Sequence, residues 1–190
     1  MKRIVNHWTA GTGRVSSRDK KHYHFIIDSA GRVHEGNFKP EDNESTKTPY
    51  AAHTRGLNTG SIGVAVAAMH GAKEYPFKTG KHPITERQVE VLAKINAKLC
   101  QEYDIPVRPD TVLTHAEVQP NLGVKQRGKW DINWLPGMDK PKAPEVAGEI
   151  IRAKTRGYFP KTAQPDFPPS PFAALGKALA LLFTKAKEKR

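Results

Sequence analysis

With 190 residues and 37% hydrophobic content, the chain is long enough to bury one sizeable core and crowded for two full domains. A formal charge of +12 calls for an acidic partner, and nucleic acid, anionic lipid and cell-wall polymer all qualify. The sole cysteine, Cys100, excludes an internal disulfide and reads as a buried thiol, and no stretch is long and apolar enough for a membrane span of ~20 residues.

The chain opens Met-Lys-Arg-Ile-Val-Asn-His, without the apolar core of a secretory signal, so synthesis in the cytoplasm is expected. Short apolar or β-branched runs at residues 3–5, 23–28, 61–67 and 111–113, bounded by Gly, Asn and Pro, predict strands of a mixed sheet. Ser29-Ala30-Gly31 predicts a hairpin turn leading into Val33. From Thr85, an N-cap candidate followed by Glu86, apolar residues recur at Val89, Leu92, Ile95 and Leu99, which predicts a helix ending near Tyr103. A second helix is expected over 144–156, with Pro144 at its start and Gly157 at its end. Strands interspersed with helices point to an α/β fold, a mixed central sheet flanked by helices.

Residues 158–171 carry Pro160, Pro165, Pro168, Pro169 and Pro171 and read as a stiff extended linker, which sets the folded domain at 1–157. Beyond it, residues 172–190 place Leu175, Leu179, Leu182 and Phe183 near one helical face, with Lys177, Lys185, Lys187, Lys189 and Arg190 supplying charge. Such a cationic amphipathic tail suits an anionic membrane or outer-envelope surface, or a docking face on the domain or on a second copy. No aromatic-and-basic RNA motif, zinc-finger spacing or recognition helix accompanies the charge, so a specific nucleic-acid partner is not expected.

Among eight histidines, position singles out two. His7 ends the first predicted strand and precedes the small-residue loop Thr9-Ala10-Gly11-Thr12-Gly13, and His115 follows the strand at 111–113. Side chains at the ends of two strands of one sheet can converge on one cation, and Asp131 in Gly128-Lys129-Trp130-Asp131 offers a carboxylate. Two imidazoles and one carboxylate make an open zinc set, whose fourth position holds a water with its pKa lowered to about 7.

Five blocks occur in order: Val5-Asn6-His7-Trp8-Thr9-Ala10; His22-Tyr23-His24-Phe25-Ile26-Ile27; Ala52-His53 through Asn58 to Ser61-Ile62-Gly63-Val64; Thr114-His115-Ala116-Glu117-Val118; and Gly128-Lys129-Trp130-Asp131. Together, over about residues 3–135, they resemble the type 2 N-acetylmuramoyl-L-alanine amidases, a group that includes short phage lysozymes and shares its fold with the peptidoglycan recognition proteins. The resemblance implies zinc ligands at His7, His115 and Asp131, the family placing Cys or Asp at the third. It implies a catalytic tyrosine at Tyr23, a catalytic lysine at Lys129 and a substrate-groove block at His53 and Asn58. The activity implied is hydrolysis of the lactyl–L-alanine amide of peptidoglycan by an enzyme expected to act on the cell wall as a monomer. A phage-type endolysin is the expected role, with a muropeptide-recycling amidase and a non-catalytic peptidoglycan-binding protein as the alternatives, the last disfavoured because all three ligand types are retained.

An amide carbonyl is a poor electrophile, so this chemistry needs a polarising cation and a donor for the oxyanion that develops, a task suited to Lys129. Tyr23 is the candidate for proton transfer, with Glu117 an alternative acceptor. His22, His24, His34, His70 and His82 are assigned no metal role. Two departures from the short phage lysozymes stand out. Only fifteen residues separate His7 from Tyr23, which predicts a trimmed or loop-built groove wall, whereas the loop between His115 and Asp131 is long.

Overall fold

Five strands form one mixed sheet in the computed structural model, which describes residues 1–159. In chain order the elements are β1 (Arg3–Trp8), α1 (Ser17–His22), β2 (Phe25–Ile27), β3 (Val33–Glu35), β4 (Ser61–Val66), α2 (Glu86–Glu102), β5 (Val112–Thr114), α3 (Val118–Leu122) and α4 (Pro144–Arg156). The sheet order is β3-β2-β4-β1-β5. Strands β1, β2, β4 and β5 run parallel, and β3 returns antiparallel to β2 through the predicted turn. There Asp28 accepts the amides of Ala30 and Arg32 at 2.9 and 3.0 Å, an Asx-type turn that sets the hairpin.

Strand β1 lies between β4 and β5, and its buried sequence alternates between two environments. Ile4 and Trp8 join Ile62, Val64, Val66 and the apolar faces of α2 and α4 in the main core. Val5 packs with Leu113 and Val118 in a smaller cluster on the other face. Period-two alternation then places His7 on the same side as Val5, away from the two long helices. Side chains can therefore converge there without crossing the main core.

Helix α2 begins at a reciprocal capping box: Thr85 Oγ1 accepts the Gln88 amide and Gln88 Oε1 accepts the Thr85 amide, both at 3.1 Å. The Gln88 Nε2 amide donates to the carbonyls of Ile27 and Ala67, which ties the helix start to the ends of β2 and β4. Val89, Leu92, Ala97, Leu99 and Cys100 are buried along its inner face. Helix α4 packs against α2 and β5, and its Arg152 is one of the largest fully buried side chains.

Tyr158 and Phe159, read from the sequence as the start of the linker, belong to the folded unit. The Tyr158 hydroxyl donates to Glu90, and Phe159 packs on the main core. The rest of the linker and the tail at 172–190 lie outside the described residues. No described helix is long and apolar enough to cross a membrane.

Candidate metal centre and its groove

Parallel pairing of β1 with β5 sets Asn6 opposite Thr114, so His7 and His115 emerge side by side where the two strands end. Ligands of open parallel sheets gather at these carboxyl ends. Asp131 reaches the same point at the close of a long loop whose end is pinned by the Ala116 amide donating to the Asp131 carbonyl at 2.6 Å. His7, His115 and Asp131 are all buried, and one donor atom from each lies within 4.8 Å of the others. Both imidazoles turn Nδ1 toward one oxygen, Asp131 Oδ2, at 3.1 Å each.

The electrostatics of this cluster favour a cation. Burial alone would push the Asp131 carboxyl up, but its close contacts with the imidazoles of His115 and His7 hold it well below the usual carboxylate range. Burial drives His7 down to about 4 against the pull of Asp131, so its imidazole is neutral at pH 7. At His115 burial also opposes charge, yet its contact with Asp131 and the charge there raise its pKa. The ionised Asp131 carboxylate and the neutral His7 imidazole are the forms metal binding requires, and a cation bound here would displace the proton that Asp131 favours on His115. These three residues can hold a metal ion.

Above them opens a groove of about 800 Å³, with His115 and Asp131 in its lining beside Tyr23, Lys129, His53 and Asn58. Tyr23 caps the C-terminus of α1, half-buried, its ring centroid 5.1 Å from that of His7. Burial, then the nearby charges of Asp131 and Asp19, raise the Tyr23 pKa, so its hydroxyl remains a donor. Lys129 is exposed on the wall, and its charge lowers the proton affinity of both His7 and His115. His53 lies behind His7, with Nδ1 3.2 Å from His7 Nε2. Asn58 Oδ1 accepts the amides of His53 and Thr54 at 3.0 and 2.8 Å and so shapes the loop that carries His53.

Glu117 takes no part in the groove. It is fully buried on the other side of His115, where Arg152 Nη2 meets its Oε1 at 2.9 Å and Nη1 its Oε2 at 3.1 Å. A carboxylate so engaged, accepting the Thr114 amide as well, cannot serve as the proton acceptor the sequence left open. The groove wall between His7 and Tyr23 is not loop-built, one of the two forms expected. It holds the short helix α1, capped by Ser16 and Asp19, which contributes Arg18, Asp19 and His22 to the lining. The Ser16-x-x-Asp19 spacing is a capping-box signal that could have revealed it.

Sequence reasoning missed two further features. Gln126 is buried in the long loop, its Oε1 2.9 Å from His115 Nε2. The groove rim is cationic: Arg18, Arg55, Arg127 and Lys129 line it, while of its two carboxylates Asp131 faces the histidines and Asp19 is held by Ser16. Among the histidines given no metal role, His24 accepts the Gly63 amide at 2.9 Å and donates to Asn43, and His34 pairs with Asp28.

Comparison with known proteins places these features in a family. No curated protein sequence matches the chain. Among solved structures, the chain is similar to the N-acetylmuramyl-L-alanine amidase AmiD from E. coli, solved with anhydro-N-acetylmuramic acid-L-Ala-D-gamma-Glu-L-Lys, at 19% identity and a TM-score of 0.49 over 95% of this chain and 70% of that one. It is also similar to the amidase LysC from Clostridium intestinale, at 18% identity and a TM-score of 0.40 over 65% and 86%. A third similar structure is the Drosophila peptidoglycan recognition protein SD, at 19% identity and a TM-score of 0.42 over 60% and 69%. A family model described as N-acetylmuramoyl-L-alanine amidase matches residues 1–136, which include every residue of the cluster and its groove, and the chain belongs to that family.

Proposed function

We propose that this protein is a zinc-dependent N-acetylmuramoyl-L-alanine amidase that hydrolyses the amide between the lactyl group of N-acetylmuramic acid and the first L-alanine of the stem peptide, and that it acts on the cell wall as an endolysin. The observation that carries this reading is the convergence of His7, His115 and Asp131 beside an open groove. Zinc bonds to nitrogen and oxygen of about 2.0–2.2 Å put tetrahedral neighbours roughly 3.3 Å apart. The two Nδ1 to Oδ2 separations of 3.1 Å agree with that spacing. His7, His115 and Asp131 would hold a zinc ion, which would supply Lewis acidity and lower the pKa of water to about 7.

The chain's own residues supply the rest. Lys129, on the groove wall two residues before Asp131, steadies the negative charge that develops on the amide oxygen. The Tyr23 hydroxyl, protonated beside His7, orients the attacking water and passes a proton toward the leaving amine. Arg18, Arg55 and Arg127 draw the carboxylates of a stem peptide into the groove. The net charge of +12 suits anionic wall polymers, and the cationic tail at 172–190 is proposed to engage anionic lipid.

Digestion of purified peptidoglycan tests the reading. Mass spectrometry should detect stem peptides with a free L-alanine amine, chelation should abolish their release and added zinc should restore it. His115→Ala should release none. A non-catalytic receptor would bind wall fragments and liberate no stem peptide under any of these conditions. Loss of liposome binding when the chain is ended at Phe159 would support the role of the tail, and equal binding would remove it.

A further inference from the structure

Both ligand histidines are held from behind through Nε2, by partners that nothing in the metal cluster requires. His115 Nε2 lies 2.9 Å from Gln126 Oε1. The orientation of that amide is settled by its other end, because Gln126 Nε2 faces the carbonyls of Arg55 and Val124 at 3.0 and 3.3 Å, which can only accept. The Gln126 oxygen is therefore the acceptor, and His115 carries its proton on Nε2.

His7 is set by the same logic through one more step. His53 Nε2 lies 3.3 Å from the Ser61 carbonyl and so donates, which leaves His53 Nδ1 as an acceptor. That nitrogen faces His7 Nε2 at 3.2 Å and the Thr54 hydroxyl at 2.8 Å. His7 thus carries its proton on Nε2 as well. The fold is shaped around this contact: a Cβ on Gly63 in β4 would meet His53 Cγ at 2.6 Å, so only glycine leaves room for the imidazole there.

We propose that His53 and Gln126 are positioning residues which lock His7 and His115 as Nε2–H tautomers, so that both Nδ1 lone pairs point at one site beside Asp131 Oδ2. Two lone pairs each 3.1 Å from a carboxylate oxygen repel it unless a cation lies between them, so the locked tautomers pre-form a cation site. The partner holding the far nitrogen of a metal-bound imidazole also fixes the ring plane, and removing such a partner costs about 10–100-fold in metal affinity. The proposal rests on the zinc reading above and assigns residues that do not themselves touch the ion.

The test measures zinc affinity by competition with a chromophoric chelator for the full chain and for Gln126→Leu, Gln126→Glu, His53→Leu and His53→Gln. The leucine variants should bind zinc about 10–100-fold more weakly, and Gln126→Glu and His53→Gln, which keep an acceptor oxygen, should recover most of that loss. Because a leucine variant could fail to fold, long-range ¹H–¹⁵N correlation on the zinc-loaded wild type gives a second readout. It should show a proton on Nε2 and a ligated Nδ1 for both His7 and His115. Coordination through Nε2 of either ring, or zinc affinity within twofold of wild type in both leucine variants, would overturn the positioning role. A wild-type chain that binds no zinc would overturn both readings, whereas tight wild-type binding with unchanged variants would overturn only this one.

Discussion

Glu117 and Arg152 meet in a bidentate ion pair shut away from solvent, with Nη2 to Oε1 at 2.9 Å and Nη1 to Oε2 at 3.1 Å. Glu149 and the Val112 carbonyl complete the arginine's shell, so α4 is bolted to the end of β5 one residue before His115. Removing one member of a buried pair leaves the other charge uncompensated, at a cost of about 3–5 kcal/mol. Arg152→Met should lower the urea midpoint accordingly, and an unchanged midpoint would contradict the burial. Gly148→Ala strikes the same pair, because an added Cβ would overlap the Glu117 carboxylate. Its expected cost is about 1–3 kcal/mol.

His24 gives the fold a pH dependence of its own. Burial, only partly offset by the hydrogen bond with Asn43, drives its pKa down to about 4, and its Nδ1 must stay unprotonated to accept the Gly63 amide. An unfolded histidine titrates near 6.5, so the unfolded chain takes up the proton first. Stability from this group is complete above about pH 6.5 and drains away as pH falls toward 4, reaching a loss of roughly 2 kcal/mol by pH 5. His24→Gln keeps an acceptor and a donor without titrating. Urea unfolding of the two proteins at pH 7.5 and pH 5 should show the wild type losing more, and parallel losses would remove His24 as the cause.

Tyr23→Phe separates chemistry from binding. The ring packing 5.1 Å from His7 survives the change and only the hydroxyl is lost. Zinc content and KM should stay near wild type while kcat falls by about 10²–10⁴-fold. Turnover at the wild-type rate would remove the hydroxyl from the reaction. Lys129→Ala should cost roughly 10²–10³-fold in kcat with the metal retained.

Cys100 reports on the core. It is buried on the inner face of α2, and burial pushes its thiol up to about 12. A thiol-specific reagent at pH 8 should leave the native protein unmodified and label one site per chain in urea. Rapid labelling of the native protein would show that α2 does not seal this face.

Much of this was legible in the sequence, for reasons that differ by element. Helix α2 announces itself because its cap and its apolar spacing are both local, and the four parallel strands because β-branched runs stop at Gly, Asn and Pro. His7, His115 and Asp131 are legible only through ordered motif blocks, since their spacing alone is not diagnostic. Helix α1 escaped because Ser-Arg-Asp-Lys-Lys-His has no apolar periodicity and is held by its cap. Gln126 and the pair of Glu117 with Arg152 escaped for another reason. Their partners lie 71 residues away at Arg55 and 35 apart across the fold, and contacts of that range leave no local pattern. Phe159 falls within the proline-rich stretch that reads as linker, although its ring packs on the core.

The bond from the Ala116 amide to the Asp131 carbonyl closes the long loop at its base, like a drawstring. Within it the string is knotted a second time, because Val124 packs on the smaller core cluster and Gln126 is tied to Gln119, Arg55 and His115. A peptide grafted into this stretch would therefore loosen the residues gathered at the mouth, and a tag belongs elsewhere on the surface.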